Sequence, residues 1–144
     1  MDNIVIDTNS LIMAISSRSD YHIIWESFLA GDYNLCISNE IIEEYAEVIA
    51  RNINVNVARY IVYTILERKN VKLITPFYNW NLITADPDDN KFVDCAIAAN
   101  AKFIVTEDHH FDILRNVSFP KVNIISIDSF LKEIKDKKIG RAHV

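Results

Sequence analysis

The chain has 144 residues, of which 50% are hydrophobic, with two glycines and a formal net charge of −5. This length and composition fit one globular domain with its own core, and they exclude long disordered or low-complexity segments. The acidic charge excludes binding of nucleic acid along a broad basic surface, because such binding depends on neutralising phosphates, but it allows a local acidic site that reaches phosphates through metal ions.

The first predicted element is a buried strand that ends at an aspartate. Ile4, Val5 and Ile6 form an unbroken β-branched run, which is typical of a strand buried on both faces, and Asp7 follows directly. Residues 8–10 are of types that cap helix starts, and apolar residues at helical spacing follow them. Asp7 is therefore either a helix cap without chemistry or a ligand-binding residue, since open α/β sheets bind ligands just outside the carboxyl ends of their strands.

Helices and strands alternate along the rest of the chain. The patterns predict helices over 21–29, 40–51, 55–69, 90–100 and 127–135, strands over 33–37, 102–105 and 122–125, a strand or extended stretch over 71–74, and a short turn or helix over 111–114. This alternation indicates an α/β fold with a mainly parallel sheet covered on both faces. We expect one domain over residues 1–138 and a flexible C-terminal tail over the patternless residues 139–144.

The sequence also predicts the compartment. The longest apolar runs fall short of the roughly 20 residues that cross a bilayer, and the N-terminus lacks the basic-then-apolar layout of a signal peptide. We therefore expect a cytoplasmic protein that does not bind membranes. Cys36 and Cys95 are isolated thiols beside apolar residues, and we interpret them as reduced core residues.

Acidic residues recur where the predicted elements would meet at one edge of the sheet. The strand over 102–105 is followed closely by Asp108. Because parallel strands place their carboxyl ends along one edge, Asp7 and Asp108 are neighbours if their strands are adjacent. In the helix over 40–51, Glu44 lies beside the apolar arc, whereas the other glutamates of that helix belong to a solvated face.

The segment over 86–94 supplies further carboxylates. Asp88 and Asp89 stand in a first helical turn, where the helix dipole favours acidic residues, so a capping role also explains them. Asp94 lies inside the helix among apolar residues, where aspartate has poor helix propensity and little access to water. Packing several carboxylates together costs free energy, and a divalent cation removes that cost. Oxygen ligands in small number suit Mg²⁺ or Mn²⁺.

Four motifs, in order, resemble those of the PIN-domain ribonucleases. IVIDTNSL at 4–11 resembles the opening strand of that family, ISNEIIEEY at 37–45 resembles its second motif, and DPDDNKFVDCAIAANAKFIVTED at 86–108 resembles its third and fourth motifs together. The resemblance covers nearly the whole chain and looks most like the toxin branch of toxin–antitoxin pairs. It implies a PIN-like three-layer α/β/α sandwich with a mainly parallel sheet of about five strands.

The resemblance also implies a metal-dependent endoribonuclease that hydrolyses RNA phosphodiester bonds with Mg²⁺ or Mn²⁺. Carried over by position, the catalytic and metal-binding carboxylates are Asp7, Glu44 and Asp108, together with the acid of the third motif. The family's spacing to the last aspartate favours Asp89 for that acid, whereas the alanine-rich string after Asp94 favours Asp94, so both are kept. Supporting roles that orient carboxylates or metal waters fall to Thr8, Asn9, Ser38 and Thr106. The expected partners are an RNA substrate, a cognate antitoxin protein and a second copy of the chain.

Two other functions share this arrangement of acids. A receiver-like signalling domain requires a lysine at the end of its last strand, and the strand over 122–125 has none there. A catalytically silent PIN-like binding scaffold would keep the fold with its acids replaced, whereas every acidic position is occupied here. The nuclease interpretation is therefore the favoured one.

Overall fold

The computed structural model describes residues 1–142, and its elements follow the predicted alternation. The strands are β1 (Asn3–Ile6), β2 (Asn34–Ile37), β3 (Val71–Leu73), β4 (Phe103–Val105) and β5 (Ile124–Ile125). The helices are α1 (Thr8–Ile15), α2 (His22–Leu29), α3 (Asn39–Asn52), α4 (Val55–Glu67), α5 (Asn90–Ala99) and α6 (Ile127–Ala142). Two 3-10 helices cover Pro87–Asp89 and His109–Asn116.

The five strands form one parallel sheet in the order β3-β2-β1-β4-β5. Strand β1 is central, and its last residue, Ile6, pairs with Val105 at the end of β4. The carboxyl ends of β1 and β4 therefore lie side by side. The α/β prediction with a five-stranded parallel sheet is confirmed, and so is the adjacency on which the proximity of Asp7 and Asp108 depends.

The core surrounds the central strand. Ile4, Val5 and Ile6 have at most 2% of their surface exposed, so both faces of β1 are covered. Helix α5 packs across β1, β2 and β4 and adds Phe92 and Val93 to the core. The thiols of residues 36 and 95 are free and buried, as expected for reduced core residues. This packing fixes the strand ends from which the acidic side chains project.

Helix α6 extends further than the apolar pattern indicates. It includes residues 139–142, where a flexible tail was expected over 139–144, and residues 143–144 lie outside the described part of the chain. Arg141 forms an ion pair with Asp32 at 3.1 Å, a contact between distant parts of the chain that local periodicity does not reveal. Among residues 1–142, no helix combines the length and apolarity needed to span a bilayer.

Candidate metal centre

Asp7 lies at the carboxyl end of β1 and is 6% exposed. One carboxylate oxygen accepts a hydrogen bond from the backbone N–H of Ser10 at 2.9 Å, so Asp7 does cap α1. The other oxygen accepts a hydrogen bond from the Thr106 hydroxyl. Burial raises the pKa of the Asp7 carboxyl, and the nearby charge of Asp108 raises it further, against the lowering effect of these hydrogen bonds. Capping of α1 accounts for one carboxylate oxygen of Asp7, and the other oxygen faces Thr106 at the end of β4.

Thr106 joins the ends of the two neighbouring strands. Its hydroxyl donates to Asp7 and accepts the backbone N–H of Asp108 at 3.0 Å. The Asp108 carboxylate in turn accepts the backbone N–H of His110 at 2.8 Å, which holds the start of the 3-10 helix. Thr106 therefore contacts the side chain of Asp7 and the backbone of Asp108.

Asp89 reaches the same region from the 3-10 helix before α5. Burial raises its pKa to about 6, with further contributions from the charges of Asp108 and Asp86. The Nδ1 atom of His110 is 3.4 Å from a carboxylate oxygen of Asp89 and 3.4 Å from one of Asp108. Asp86, Asp89 and His110 each offer a ligand atom, and these atoms lie within 4.8 Å of one another. This is a donor set that suits a divalent cation.

Glu44 is half-buried and connects to the site through its neighbours. One carboxylate oxygen accepts a hydrogen bond from the Thr8 hydroxyl, and Thr8 is the residue directly after Asp7. The other oxygen is 2.7 Å from the Lys91 ammonium, which is also 2.9 Å from a carboxylate oxygen of Asp88. Glu44 therefore faces the strand ends, as its position at the edge of the apolar arc predicted.

Asp94 occupies a separate position on α5. It is 6% exposed, and its carboxylate accepts the backbone N–H of Trp80 at 3.1 Å. Burial raises its pKa, and the charge of Glu40 adds to this effect. The carboxylate borders a polar cavity of about 260 Å³, and Asp88 and Lys91 line the same cavity. Asp94 thus holds the segment before α5 in place.

A family model described as the PIN domain matches residues 3–110. The chain belongs to the PIN domain family. Comparison with curated protein sequences finds no match. Membership of this family, whose fold is a nuclease fold, excludes the receiver-like alternative.

Solved structures that resemble this PIN domain share its fold at low sequence identity. VapBC2 from Rickettsia felis, bound to a promoter DNA fragment, has a TM-score of 0.60 and 18% identity over 86% of this chain and 98% of that chain. DNA-bound VapBC from Salmonella typhimurium has a TM-score of 0.58 and 16% identity over 88% and 99%. The PIN domain endonuclease Utp24 has a TM-score of 0.52 and 16% identity over 86% and 84%.

The structure of this PIN domain brings some predicted site residues together and separates others. Asp7, Asp108 and Asp89 form one group through Thr106 and His110, as the contacts above show. Glu44 joins that group through Thr8, whereas Asp94 faces the neighbouring cavity. Of the supporting residues, Ser38 caps α3 by accepting the backbone N–H of Ile41 at 3.3 Å, and Asn9 is exposed on the first turn of α1.

The sequence motifs do not mark three residues of this PIN-domain site. Asp86 and His110 offer ligand atoms beside Asp89, and His110 lies between the carboxylates of Asp89 and Asp108. Lys91 was not considered, yet its ammonium is held by Glu44 and Asp88. A partial signal was present for Lys91, because Asp88 and Lys91 stand three positions apart, which is a spacing that pairs side chains on one helix face.

Proposed function

We propose that this PIN domain is a metal-dependent endoribonuclease, with Mg²⁺ or Mn²⁺ held by Asp7, Asp89 and Asp108. The observation that carries the proposal is the position of Asp7 and Asp108 at adjacent strand ends, with Asp89 facing Asp108. Burial, and then the charges of Asp108 and Asp86, raise the pKa of Asp89 to about 6, and a divalent cation would remove the cost of the repulsion between these carboxylates. Asp86 and His110 add a carboxylate and an imidazole within 4.8 Å of the Asp89 ligand atom, and this oxygen-rich donor set fits these metals.

The other polar residues of the site have supporting roles in this proposal. A divalent cation bound there would activate water for attack near neutral pH and would offset negative charge on the phosphate. Thr106 orients the carboxylate of Asp7, and Thr8 orients that of Glu44, through the hydrogen bonds described above. Glu44 and Asp94 were also predicted as ligands. Glu44 is paired with the Lys91 ammonium and Asp94 borders the neighbouring cavity, so we assign both to positioning.

We further propose that the nuclease acts as the toxin of a toxin–antitoxin pair in the cytoplasm, with RNA as substrate. The sequence motifs resemble the toxin branch, and two similar structures are VapBC proteins bound to DNA. Helix α4 exposes Val55, Tyr60, Tyr63 and Leu66, each with more than half of its surface accessible. An apolar face of this kind suits burial under an antitoxin segment or a second copy of the chain.

The experiment that tests the proposal is cleavage of labelled RNAs, single-stranded and structured, with Mg²⁺ or Mn²⁺ and with or without EDTA. The proposal predicts cutting that needs the cation and stops with EDTA. Asp108→Asn is the matched inactive variant, and Asp112→Asn, an exposed acid on the following 3-10 helix, is the control that keeps activity. A folded wild type that binds the cation and leaves every RNA intact would favour the catalytically silent scaffold.

A further inference from the structure

Lys91 is a buried cation inside the acidic site. Its ammonium lies 2.7 Å from Glu44 and 2.9 Å from Asp88, and 9% of its side chain is exposed. The ammonium is also 5.8 Å from the centre of the Phe92 ring, which closes one side of it. Charge-assisted hydrogen bonds of this length are the strong ones, and they hold the charge in one place. Lys91 is therefore a fixed positive charge beside Glu44, which the Thr8 hydroxyl joins to the end of β1.

The positive charge lies on one side of the site only. Both carboxylate oxygens of Glu44 are engaged, one by Lys91 and the other by the Thr8 hydroxyl. On the other side, within residues 1–142, neither lysine nor arginine forms an ion pair with Asp7, Asp89 or Asp108. The three aspartates thus lack a permanent counter-charge, whereas Glu44 already has one.

We propose that Lys91 replaces a second metal ion in this centre, so that the PIN domain binds one divalent cation per chain. The inference rests on the proposed nuclease function and adds to it. Two-metal nucleases hold their cations about 3.5–4 Å apart, with carboxylates neutralised by both ions. Here the ammonium places one positive charge between the carboxylates of Glu44 and Asp88. The divalent cation belongs to Asp7, Asp89 and Asp108. Lys91 is a positioning residue, because it acts by holding Glu44 and by setting the local charge.

The first test counts Mn²⁺ ions by calorimetric titration and by electron paramagnetic resonance, which distinguishes isolated Mn²⁺ from spin-coupled pairs. The wild type should bind one Mn²⁺ per chain with the spectrum of an isolated ion. Lys91→Met frees Glu44 and Asp88, so it should bind a second Mn²⁺ and show spin coupling. Lys91→Arg keeps the positive charge and should bind one Mn²⁺ per chain.

The matched control is Lys102→Met. Lys102 also pairs with an aspartate, Asp2, at 3.5 Å, and lies 5.3 Å from the centre of the Phe103 ring, but at the amino end of the sheet. This variant should bind one Mn²⁺, as the wild type does.

A second variant keeps the inference testable if Lys91→Met does not fold. Glu44→Gln in the wild-type background should bind Mn²⁺ with an affinity within about threefold of wild type, because Glu44 is held by Lys91 and not by the metal. Asp89→Asn should weaken binding by about tenfold or more. Loss of Mn²⁺ binding in Glu44→Gln would overturn the inference.

The outcomes separate this inference from the proposed function. A wild type that cleaves RNA and binds two coupled Mn²⁺ ions overturns the role of Lys91 and leaves the nuclease proposal standing. A folded Lys91→Met variant that still binds only one Mn²⁺ also overturns the role of Lys91 and leaves the nuclease proposal standing. A wild type that neither binds Mn²⁺ nor cleaves RNA overturns both.

Discussion

Removing the charge of Asp89 should stabilise the metal-free protein. The pKa of this carboxyl is raised to about 6 from its ordinary 3.8, first by burial and then by the charges of Asp108 and Asp86. At full effect this difference corresponds to roughly 3 kcal/mol. Because the carboxylate is partly exposed to solvent, we reduce the expected gain in the free energy of unfolding for Asp89→Asn to about 1–2 kcal/mol near pH 7.5. The side chain makes no capping hydrogen bond to α5, so the substitution does not remove a cap.

The sign of the pH dependence follows from the raised pKa. The folded state favours the protonated form of the Asp89 carboxyl. Its contribution to the stability of the wild type is therefore fully present below about pH 4 and is lost as the pH rises through about 6. The stability of Asp89→Asn relative to wild type should therefore be largest near pH 7.5 and should shrink toward zero near pH 4. Urea unfolding followed by circular dichroism in EDTA, at several pH values, measures this difference.

The control for this experiment is Asp112→Asn. Asp112 pairs with His109 at 3.2 Å, much as Asp89 pairs with His110, but it is an exposed acid. We expect its substitution to change stability by less than about 0.5 kcal/mol. An Asp89→Asn variant that is less stable than wild type in EDTA near pH 7.5, or a difference that does not change with pH, would refute the electrostatic reasoning.

Two further substitutions test the contacts that hold the site. Thr106→Val keeps the volume but removes the hydroxyl that joins Asp7 to the backbone N–H of Asp108, so calorimetry should show Mn²⁺ binding weakened by about tenfold, and an unchanged affinity would contradict this role. Tyr45→Phe removes a fully buried hydroxyl that donates to the Ile6 carbonyl at the end of β1. Urea unfolding should show a loss of about 1–2 kcal/mol, and equal stability would show that this hydrogen bond contributes nothing.

The acidic edge of the sheet could be predicted because the ends of the apolar runs in the sequence mark the ends of the strands. The β-branched run of β1 stops at Asp7, and that of β4 stops just before Thr106 and Asp108. Proximity of the two aspartates also required β1 and β4 to be neighbours, which the sequence left as a condition and the sheet order fulfils. Local pattern therefore places both residues at strand ends, and the sheet order brings them together.

The surroundings of those carboxylates could not be predicted in the same way. Lys91 looks like a solvated helix residue, and its burial arises only when α3 brings Glu44 beside it. His110 reaches Asp89 because the chain turns into a 3-10 helix after Asp108, and nothing in the local sequence sets the direction of that turn. Contacts between separate elements decide these roles, and periodicity within one element carries no information about them.

The end of α6 illustrates the same point at the other edge of the sheet. The apolar pattern fades after residue 135, because the last turns of the helix face solvent. Lys137 forms an ion pair with Asp2 at 2.8 Å, near the start of the chain. Such an exposed ion pair contributes less than about 1 kcal/mol to the free energy of unfolding, but it shows where the end of the helix lies.

The most direct test of the account is RNA cleavage by Asp7→Asn beside wild type, in Mn²⁺ and in Mn²⁺ with EDTA. Asparagine can still accept the hydrogen bond that caps α1, so the variant should fold and unfold much as wild type does. If Asp7 holds the catalytic cation, the cleavage rate should fall by roughly 100-fold or more, to the level seen with EDTA. Metal-dependent cleavage at the wild-type rate would contradict the assignment and would leave Asp7 as a helix cap alone.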